Sequence, residues 1–313
     1  MENKEELIYV AGGYGMVGSS IISALRTNGY SNIVYTSSKE LDLRRQIEVE
    51  NFFKLNKPAV VILAAAKVGG IQENIQFPAD FITDNILIES NVIKTAFEVK
   101  VNTLMYICSS SIYPANCTEP KEDDLMKGNL DKSNEGYSLA KLFGVKMCEM
   151  YRKQYGVNYF SVVPCNLYGV NDRFRGNSAH VIPALITKFH NAKIKGEEKV
   201  SIWGTGNAMR EFLYTEDFAN CCIDLLAYNF TLPCVINIGS GNYLTIRELA
   251  NKIKNVVGYK GEIEFNSDKP EGQYLRKMNL DQMRKLNLKT KTSLDEGIRR
   301  TYSFYVENEE FLR

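Results

Sequence analysis

Histidine and tryptophan are scarce in this chain, which has two histidines and one tryptophan among 313 residues. Two histidines, His180 and His190, exclude a multi-histidine metal site and leave few candidates for imidazole chemistry. The seven cysteines are odd in number and form no Cys-x-x-Cys pair. We therefore expect neither a disulfide framework nor a bound metal, and a reducing cytoplasmic location fits this cysteine usage.

The chain also lacks an excess of charge and a long apolar run. Lys and Arg total 38 against 37 Asp and Glu, a net charge of +1, which gives no general attraction to nucleic acid or to an anionic membrane. No apolar run reaches the roughly 18 residues of a membrane-spanning helix. The charged N-terminus runs directly into a predicted strand, so we expect no signal peptide.

Apolar β-rich runs alternate with helical patterns through the first half of the chain. This alternation predicts an α/β fold of the Rossmann type, a doubly wound parallel sheet with a smaller, discontinuous C-terminal substrate lobe. We expect residues 1–169 to form the dinucleotide-binding domain, with a return near 235–257, and residues 170–313 to form mainly the lobe. The predicted strands are 7–10, 33–36, 60–66, 103–109, 159–164 and 235–238, and the main helices are 19–28, 47–55, 85–99, 137–155, 181–192 and 245–257. Thr245 is the expected N-cap of the last helix.

A glycine-rich turn joins the first predicted strand to the first predicted helix. Gly12, Gly15 and Gly18 have the spacing G-x-x-G-x-x-G. Glycine permits the tight turn and lets the backbone approach a pyrophosphate, which then lies at the helix N-terminus. This context predicts a dinucleotide site that includes Met16 and Val17.

The end of the second predicted strand bears on the choice between NAD and NADP. An acidic residue there binds the ribose 2′-hydroxyl of NAD, whereas basic and hydroxyl residues accept a 2′-phosphate. Ser37, Ser38 and Lys39 occupy this position without an acid. Asp42 follows and is expected near the adenine, and Leu43 is a further expected cofactor contact. The pattern favours NADP over NAD.

Tyr137 and Lys141 are four residues apart and share one face of a predicted helix. A Tyr hydroxyl has a pKa near about 10, and a fixed ammonium one turn away lowers it. Ser109 ends the preceding strand, where its hydroxyl can hydrogen-bond a substrate carbonyl. The three residues predict proton transfer beside a bound dinucleotide.

These motifs resemble the extended short-chain dehydrogenase/reductase superfamily. More narrowly, the chain resembles the GDP-L-fucose synthase family, NADPH-dependent 3,5-epimerase-4-reductases of GDP-4-keto-6-deoxymannose. The resemblance runs through most of the chain in the family's order. The matching stretches are 63–71, 78–81, 166–169, 180–185, 203–206 and 209–213.

The resemblance implies a role for each matching position. Ser109, Tyr137 and Lys141 would form the reductase triad, with Tyr137 giving a proton to the C4 oxygen as NADPH delivers hydride to C4. His180 would be one of two epimerisation residues. The superfamily also commonly forms homodimers through two helices per subunit, here 85–99 and 137–155. Further cofactor contacts would be Ala64, Ala65, Ala66, Pro164, Asn166, Leu167 and His180, and substrate contacts would be Ser110, Ser111, Asn166, Lys188, Trp203 and Arg210.

One departure from the family separates two reactions. The family has a cysteine, the second epimerisation residue, where this chain has Ser111. A thiol with a pKa of about 8.5 can be tuned to take a proton next to a ketone, whereas a serine hydroxyl is a poor acceptor without its own base. We therefore expect C4 reduction of a GDP-4-keto sugar, with epimerisation in doubt.

Other functions stay open at this stage. The full bifunctional epimerase-reductase is the main alternative, and a 4-epimerase of the UDP-galactose type is compatible with the triad alone. A non-catalytic dinucleotide sensor is disfavoured because such proteins typically lose the Tyr or the Lys. Tyr14, Ser38 and Lys188 stand where the family has basic residues, with Arg at positions 14 and 188. The altered loop 170–175 suggests a different sugar, such as a heptose or a 3,6-dideoxyhexose.

Overall fold

The computed structural model describes residues 4–176, 179–228, 231–267 and 275–310. The strands are β1 (Ile8–Ala11), β2 (Ile33–Thr36), β3 (Val60–Leu63), β4 (Thr103–Ile107), β5 (Asn158–Pro164), β6 (Asn166–Tyr168), β7 (Lys199–Trp203), β8 (Met209–Tyr214), β9 (Val235–Ile238), β10 (Tyr243–Thr245) and β11 (Glu262–Asn266). The α-helices are α1 (Met16–Thr27), α2 (Gln46–Asn56), α3 (Ile71–Gln76), α4 (Pro78–Glu98), α5 (Glu135–Tyr155), α6 (Val181–Lys195), α7 (Thr215–Leu226), α8 (Ile246–Val257), α9 (Asp281–Lys285) and α10 (Leu294–Asn308).

A six-stranded parallel sheet with the order β2-β1-β3-β4-β5-β9 forms the centre of the molecule. Strands β1, β3 and β5 are buried along their whole length, which explains the unbroken apolar sequences of β1 and β3. The strand order reverses between β1 and β3, and this is the point at which doubly wound sheets bind their ligands. The predicted α/β, Rossmann-type fold is confirmed.

A second hydrophobic cluster lies beside two small sheets. One sheet has the order β10-β8-β6 and the other pairs β11 with β7. Side chains of α6, α8 and α10, among them Phe189, Ile253 and Tyr305, fill this cluster. The sequence did not predict β6, β7 or β8, because these strands carry polar residues such as Arg210 and Glu211.

The chain crosses between the two clusters more than once. Helix α7 packs against α1 and contributes to the hydrophobic cluster around the central sheet, although the sequence predicts no helix there. In the segment 235–257, expected to return to the dinucleotide-binding domain, β9 joins the central sheet, but α8 packs in the second cluster. On this packing we propose that α7 and β9 belong with residues 1–169, and that α8 belongs to the lobe.

Helix boundaries follow local capping chemistry. Thr245, the expected N-cap of α8, accepts a hydrogen bond from the Glu248 amide at 3.1 Å in a capping box, as the sequence predicts. Helix α4 begins at Pro78, seven residues before the predicted start at 85, because proline is favoured in the first helical turn. Within the described residues, no helix combines the length and apolar character that crossing a bilayer requires.

Candidate functional site

The predicted cofactor and triad residues gather at one edge of the central sheet. The strands of this sheet are parallel, so the loops that follow β1 to β5 all leave from their carboxyl ends, where α/β proteins bind ligands. These loops hold Gly12, Gly15, Ser37, Ser38, Lys39, Ala64, Ala65, Ala66, Ser109, Ser110 and Ser111. Asn166 begins β6, shortly after the end of β5.

The loop after β1 depends on glycine for its close contacts. Gly12 has φ +85°, and a Cβ atom there would lie 2.7 Å from the amide nitrogen of Ala65. A Cβ atom on Gly18 would lie 2.2 Å from the Gly12 carbonyl oxygen. Met16 and Val17 then form the first turn of α1, whose amides point toward the loop. The arrangement fits a dinucleotide pyrophosphate.

The turn after β2 presents hydroxyl and basic side chains. Ser38 and Lys39 are exposed, and the Ser37 amide donates a hydrogen bond to Glu40 Oε2 at 2.7 Å. This hydrogen bond holds the pKa of Glu40 below its usual range. Because the Glu40 carboxylate binds the backbone of its own turn, Ser38 and Lys39 are the residues of this turn that can contact a 2′-phosphate.

Asp42 is held by a neighbouring arginine. Arg44 Nε lies 2.9 Å from Asp42 Oδ1, and Arg44 Nη1 lies 3.3 Å from Asp84 on α4. The hydrogen bond from Arg44 holds the pKa of Asp42 below its usual value. Leu43 is buried, and its carbonyl accepts a hydrogen bond from Asn91 of α4. Asp42, through Arg44, and Leu43, through its carbonyl, therefore link the segment after β2 to α4.

The triad residues meet where β4 ends beside α5. Ser109 caps a short 3₁₀ helix, Ser110–Ile112, and its Oγ accepts a hydrogen bond from the Ser111 amide at 3.3 Å. Tyr137 and Lys141 lie one turn apart on α5. Burial raises the pKa of Tyr137, and a hydrogen bond with Ser109 partly opposes this shift. Tyr137 is therefore a neutral phenol that can donate a proton.

A buried carboxylate beside Lys141 escaped the sequence analysis. Lys141 Nζ lies 3.5 Å from Glu89 Oε1, and the two side chains are only 2% and 1% exposed. The Tyr106 hydroxyl donates to the same Glu89 oxygen at 2.5 Å. The signal in the sequence was a charged residue on the apolar face of the helix, in register with Val92 and Ala96.

A second carboxylate pairs with His180, the N-cap residue of α6. Asp172 Oδ1 lies 3.4 Å from His180 Nδ1, and the Asp172 side chain is buried whereas that of His180 is 44% exposed. The Arg173 amide also donates to Asp172 Oδ1 at 2.7 Å. A carboxylate at Nδ1 orients the imidazole and directs Nε2 outward, as general acids and bases require.

Ser111 is buried, and its Oγ has no hydrogen-bond partner among the described residues. The backbone around it is held by Arg276, which donates to the Ser110 carbonyl at 2.8 Å and to the Pro114 carbonyl at 3.4 Å. The sequence analysis missed Arg276, which lies 166 residues from Ser110. An unpaired hydroxyl in a supported loop can bind a substrate oxygen but has no base to ionise it.

The predicted substrate residues are divided between two places in the lobe. On one side, Asn166 on β6 donates to the Glu211 carbonyl at 2.8 Å and so lies beside Arg210 on β8. On the other side, Lys188 on α6 donates to the Ser201 carbonyl of β7 at 2.6 Å.

The remaining predicted residues lie near these strands. Trp203 ends β7 and is 51% exposed, so it does not belong to the core. Pro164 is buried at the end of β5, and Leu167 is partly buried on β6.

Comparison with known proteins agrees with this geometry. The model of the NAD dependent epimerase/dehydratase family matches residues 8–239. GDP-L-fucose synthase 1 of Arabidopsis thaliana is 45% identical over 98% of this chain and 95% of its own length. The chain belongs to this family, among the GDP-L-fucose synthases. The Escherichia coli K12 GDP-L-fucose synthase is 41% identical over 99% of both chains.

A solved structure supports the same placement. MlghC, a GDP-mannoheptose C4 reductase from Campylobacter jejuni with NADP bound, is 35% identical and superimposes with a TM-score of 0.89 over 98% of this chain and 100% of that chain. The family resemblance expected from the sequence motifs is confirmed.

The Gly18→Ala substitution tests the phosphate loop. We expect NADPH affinity to fall at least about tenfold, because the new Cβ would meet the Gly12 carbonyl at 2.2 Å and displace the loop. Fluorescence titration with NADPH measures the change, and circular dichroism checks the fold. Thr27→Ala, exposed at the far end of α1, is the control and should bind normally. Unchanged affinity in Gly18→Ala would contradict the site.

Proposed function

We propose that this protein uses NADPH to reduce the C4 ketone of a GDP-4-keto sugar. The observation that carries the proposal is the triad, with Ser109, Tyr137 and Lys141 together at the carboxyl edge of the sheet. The names of the relatives agree, since they include GDP-L-fucose synthases and a GDP-mannoheptose C4 reductase that holds NADP. The glycine loop fits such a cofactor.

The side chains have distinct tasks in this reaction. NADPH, when bound, supplies the hydride that reaches C4. Ser109 hydrogen-bonds the ketone oxygen, and Tyr137 donates its phenolic proton to that oxygen as negative charge develops there. The ammonium of Lys141 stabilises the resulting phenolate. Arg210 is the candidate for the diphosphate, since a guanidinium makes paired bonds to phosphate oxygens.

Epimerisation at C3 and C5 is disfavoured by the surroundings of Ser111. Its hydroxyl has no base among the described residues, so it does not replace a thiolate as proton acceptor. His180 keeps an orienting carboxylate in Asp172, so one proton-transfer group of the pair is intact. We infer that the enzyme is a C4 reductase that acts on a sugar whose stereochemistry at C3 and C5 is already set.

The loop after β6 supports a substrate other than the fucose precursor. Asn171 donates to Ser19 of α1 at 3.2 Å, and Arg173 donates to the Val68 carbonyl at 3.1 Å. The loop thus contacts both the phosphate-binding helix and the loop after β3. Because residues 170–175 differ from the family pattern at this place, a heptose or a 3,6-dideoxyhexose stays a candidate.

Turnover with a panel of GDP-4-keto sugars tests the reaction, read by NADPH absorbance and by NMR of the product. We expect reduction at C4, and we expect Tyr137→Phe to bind NADPH normally but to lose about 100-fold or more in rate. Tyr155→Phe, exposed at the end of the same helix, is the control. Full rate in Tyr137→Phe would refute the proton donor. NADPH binding without turnover of any sugar would favour a sensor.

Exchange with deuterated solvent tests whether the absence of a thiol at position 111 prevents proton exchange at C3 and C5. In deuterated water, the wild-type enzyme should reduce C4 faster than deuterium enters C3 or C5, and Ser111→Cys should accelerate that entry. NMR of the recovered sugar measures both rates. Ser110→Cys places a thiol one residue away and should not accelerate exchange. Rapid exchange at both carbons by the wild type would instead support the bifunctional enzyme.

We also propose a homodimer formed through α4 and α5. The exposed apolar side chains Leu139, Phe143 and Met150 lie along one face of α5, and Leu87 is exposed on α4. Contiguous apolar surface on paired helices is typical of a subunit interface.

Light scattering tests the dimer. We expect a mass twice the chain mass of 35.5 kDa, reduced to one chain mass by Phe143→Asp. Val306→Asp, on an exposed apolar residue of α10, should leave the dimer intact. A monomeric wild type, or a dimeric Phe143→Asp variant, would contradict the proposal.

A further inference from the structure

Glu89 is a carboxylate with almost no solvent exposure in a molecule whose other ion pairs lie mostly at the surface. It lies on α4, where that helix packs against α5, and its side chain reaches Tyr106 of β4. The titratable groups that face it come from both neighbours. They are Lys141, Tyr137 and Cys148 of α5, and Tyr106 and, just beyond the end of β4, Cys108.

The packing brings two groups onto one Glu89 oxygen. Lys141 Nζ lies 3.5 Å from Glu89 Oε1, and the Tyr106 hydroxyl donates to the same atom. The ammonium also lies 4.3 Å from the centroid of the Tyr106 ring. Gly144 makes room for this ring, because a Cβ atom there would lie 2.5 Å from Tyr106 Cζ. The cluster therefore fixes the ammonium from two directions.

The other carboxylate oxygen, Glu89 Oε2, has no hydrogen-bond partner among the described residues. A half-satisfied buried carboxylate is poorly stabilised in its charged form. Burial accordingly raises the pKa of Glu89 to about 7, against the opposing effects of Lys141, Tyr106 and the Gly144 amide. A carboxylate with this pKa changes its charge in the neutral pH range.

We propose that Glu89 is the positioning residue of the reductase: its ion pair holds the ammonium of Lys141, which lies one helical turn from Tyr137 on α5, and the rate of reduction depends on this ion pair. The inference rests on the proposed function of the triad. Above neutral pH, the charged carboxylate pairs with Lys141 and fixes it one helical turn from Tyr137. Below neutral pH, Glu89 takes up a proton, the ion pair is lost, and the rate of reduction falls.

The Glu89→Gln variant tests this role, since glutamine keeps the size and the hydrogen-bond acceptor but has no charge. Wild-type kcat should fall as the pH drops through about 7. Glu89→Gln should lose this acid limb and show, at pH near 8, a kcat lower by on the order of tenfold to a hundredfold. Glu89→Asp should keep an acid limb, which separates charge from packing.

Tyr106→Phe serves as a matched probe of the same carboxylate. Its hydroxyl lowers the pKa of Glu89, so its removal should move the acid limb to higher pH. The proposal would be overturned if Glu89→Gln kept the pH profile of wild-type kcat. It would also be overturned if Glu89→Asp lost the acid limb as fully as Glu89→Gln does.

A second readout does not need turnover. Difference infrared titration of the protein without substrate should show a carboxyl band that appears below about pH 7 and is missing in Glu89→Gln. Its absence in the wild type overturns the inference even if reduction is observed. If the band is present but no GDP-4-keto sugar is reduced, the proposed function fails and not the titration of Glu89.

Discussion

All six strands of the central sheet run in one direction, and the site depends on this constraint. Because the carboxyl ends of parallel strands meet at one edge, residues from widely separated parts of the chain converge there. Gly12 and Ala65, which follow β1 and β3, come into contact in this way. The glycines then let the loops after β1 and β3 touch, which a larger residue at position 12 would prevent.

Patterns local in sequence predicted most of this architecture. The spacing of Tyr137 and Lys141 by one helical turn, the glycine loop after β1 and the N-cap Thr245 each require only a few neighbouring residues. The lobe was harder to predict. The strand that carries Arg210 and Glu211 has no alternating apolar pattern, since its polar residues are held by partners that only the folded chain provides, such as the Gly241 amide on Glu211.

The partners of the site residues could not be read from the sequence. Glu89 is 52 positions from Lys141, and Arg276 contacts the Ser110 carbonyl across 166 positions. A helical pattern marks Glu89 as inward-facing but does not tell which residue it meets. Asp172 is near His180 in the chain, yet the amino-acid sequence between them has no period from which a contact follows. Roles that depend on tertiary pairing therefore became visible only in the fold.

Strand β9 completes the central sheet from residues 235–238, and Met283 of α9 joins the same hydrophobic cluster. A chain emerging from the ribosome therefore lacks β9, one edge of the central sheet, until about three quarters of the chain has been made. Until then β5 is an edge strand with unpaired backbone groups, which is the kind of surface that invites pairing with another chain. The lobe segment between β6 and β9 is therefore synthesised before the central sheet is complete.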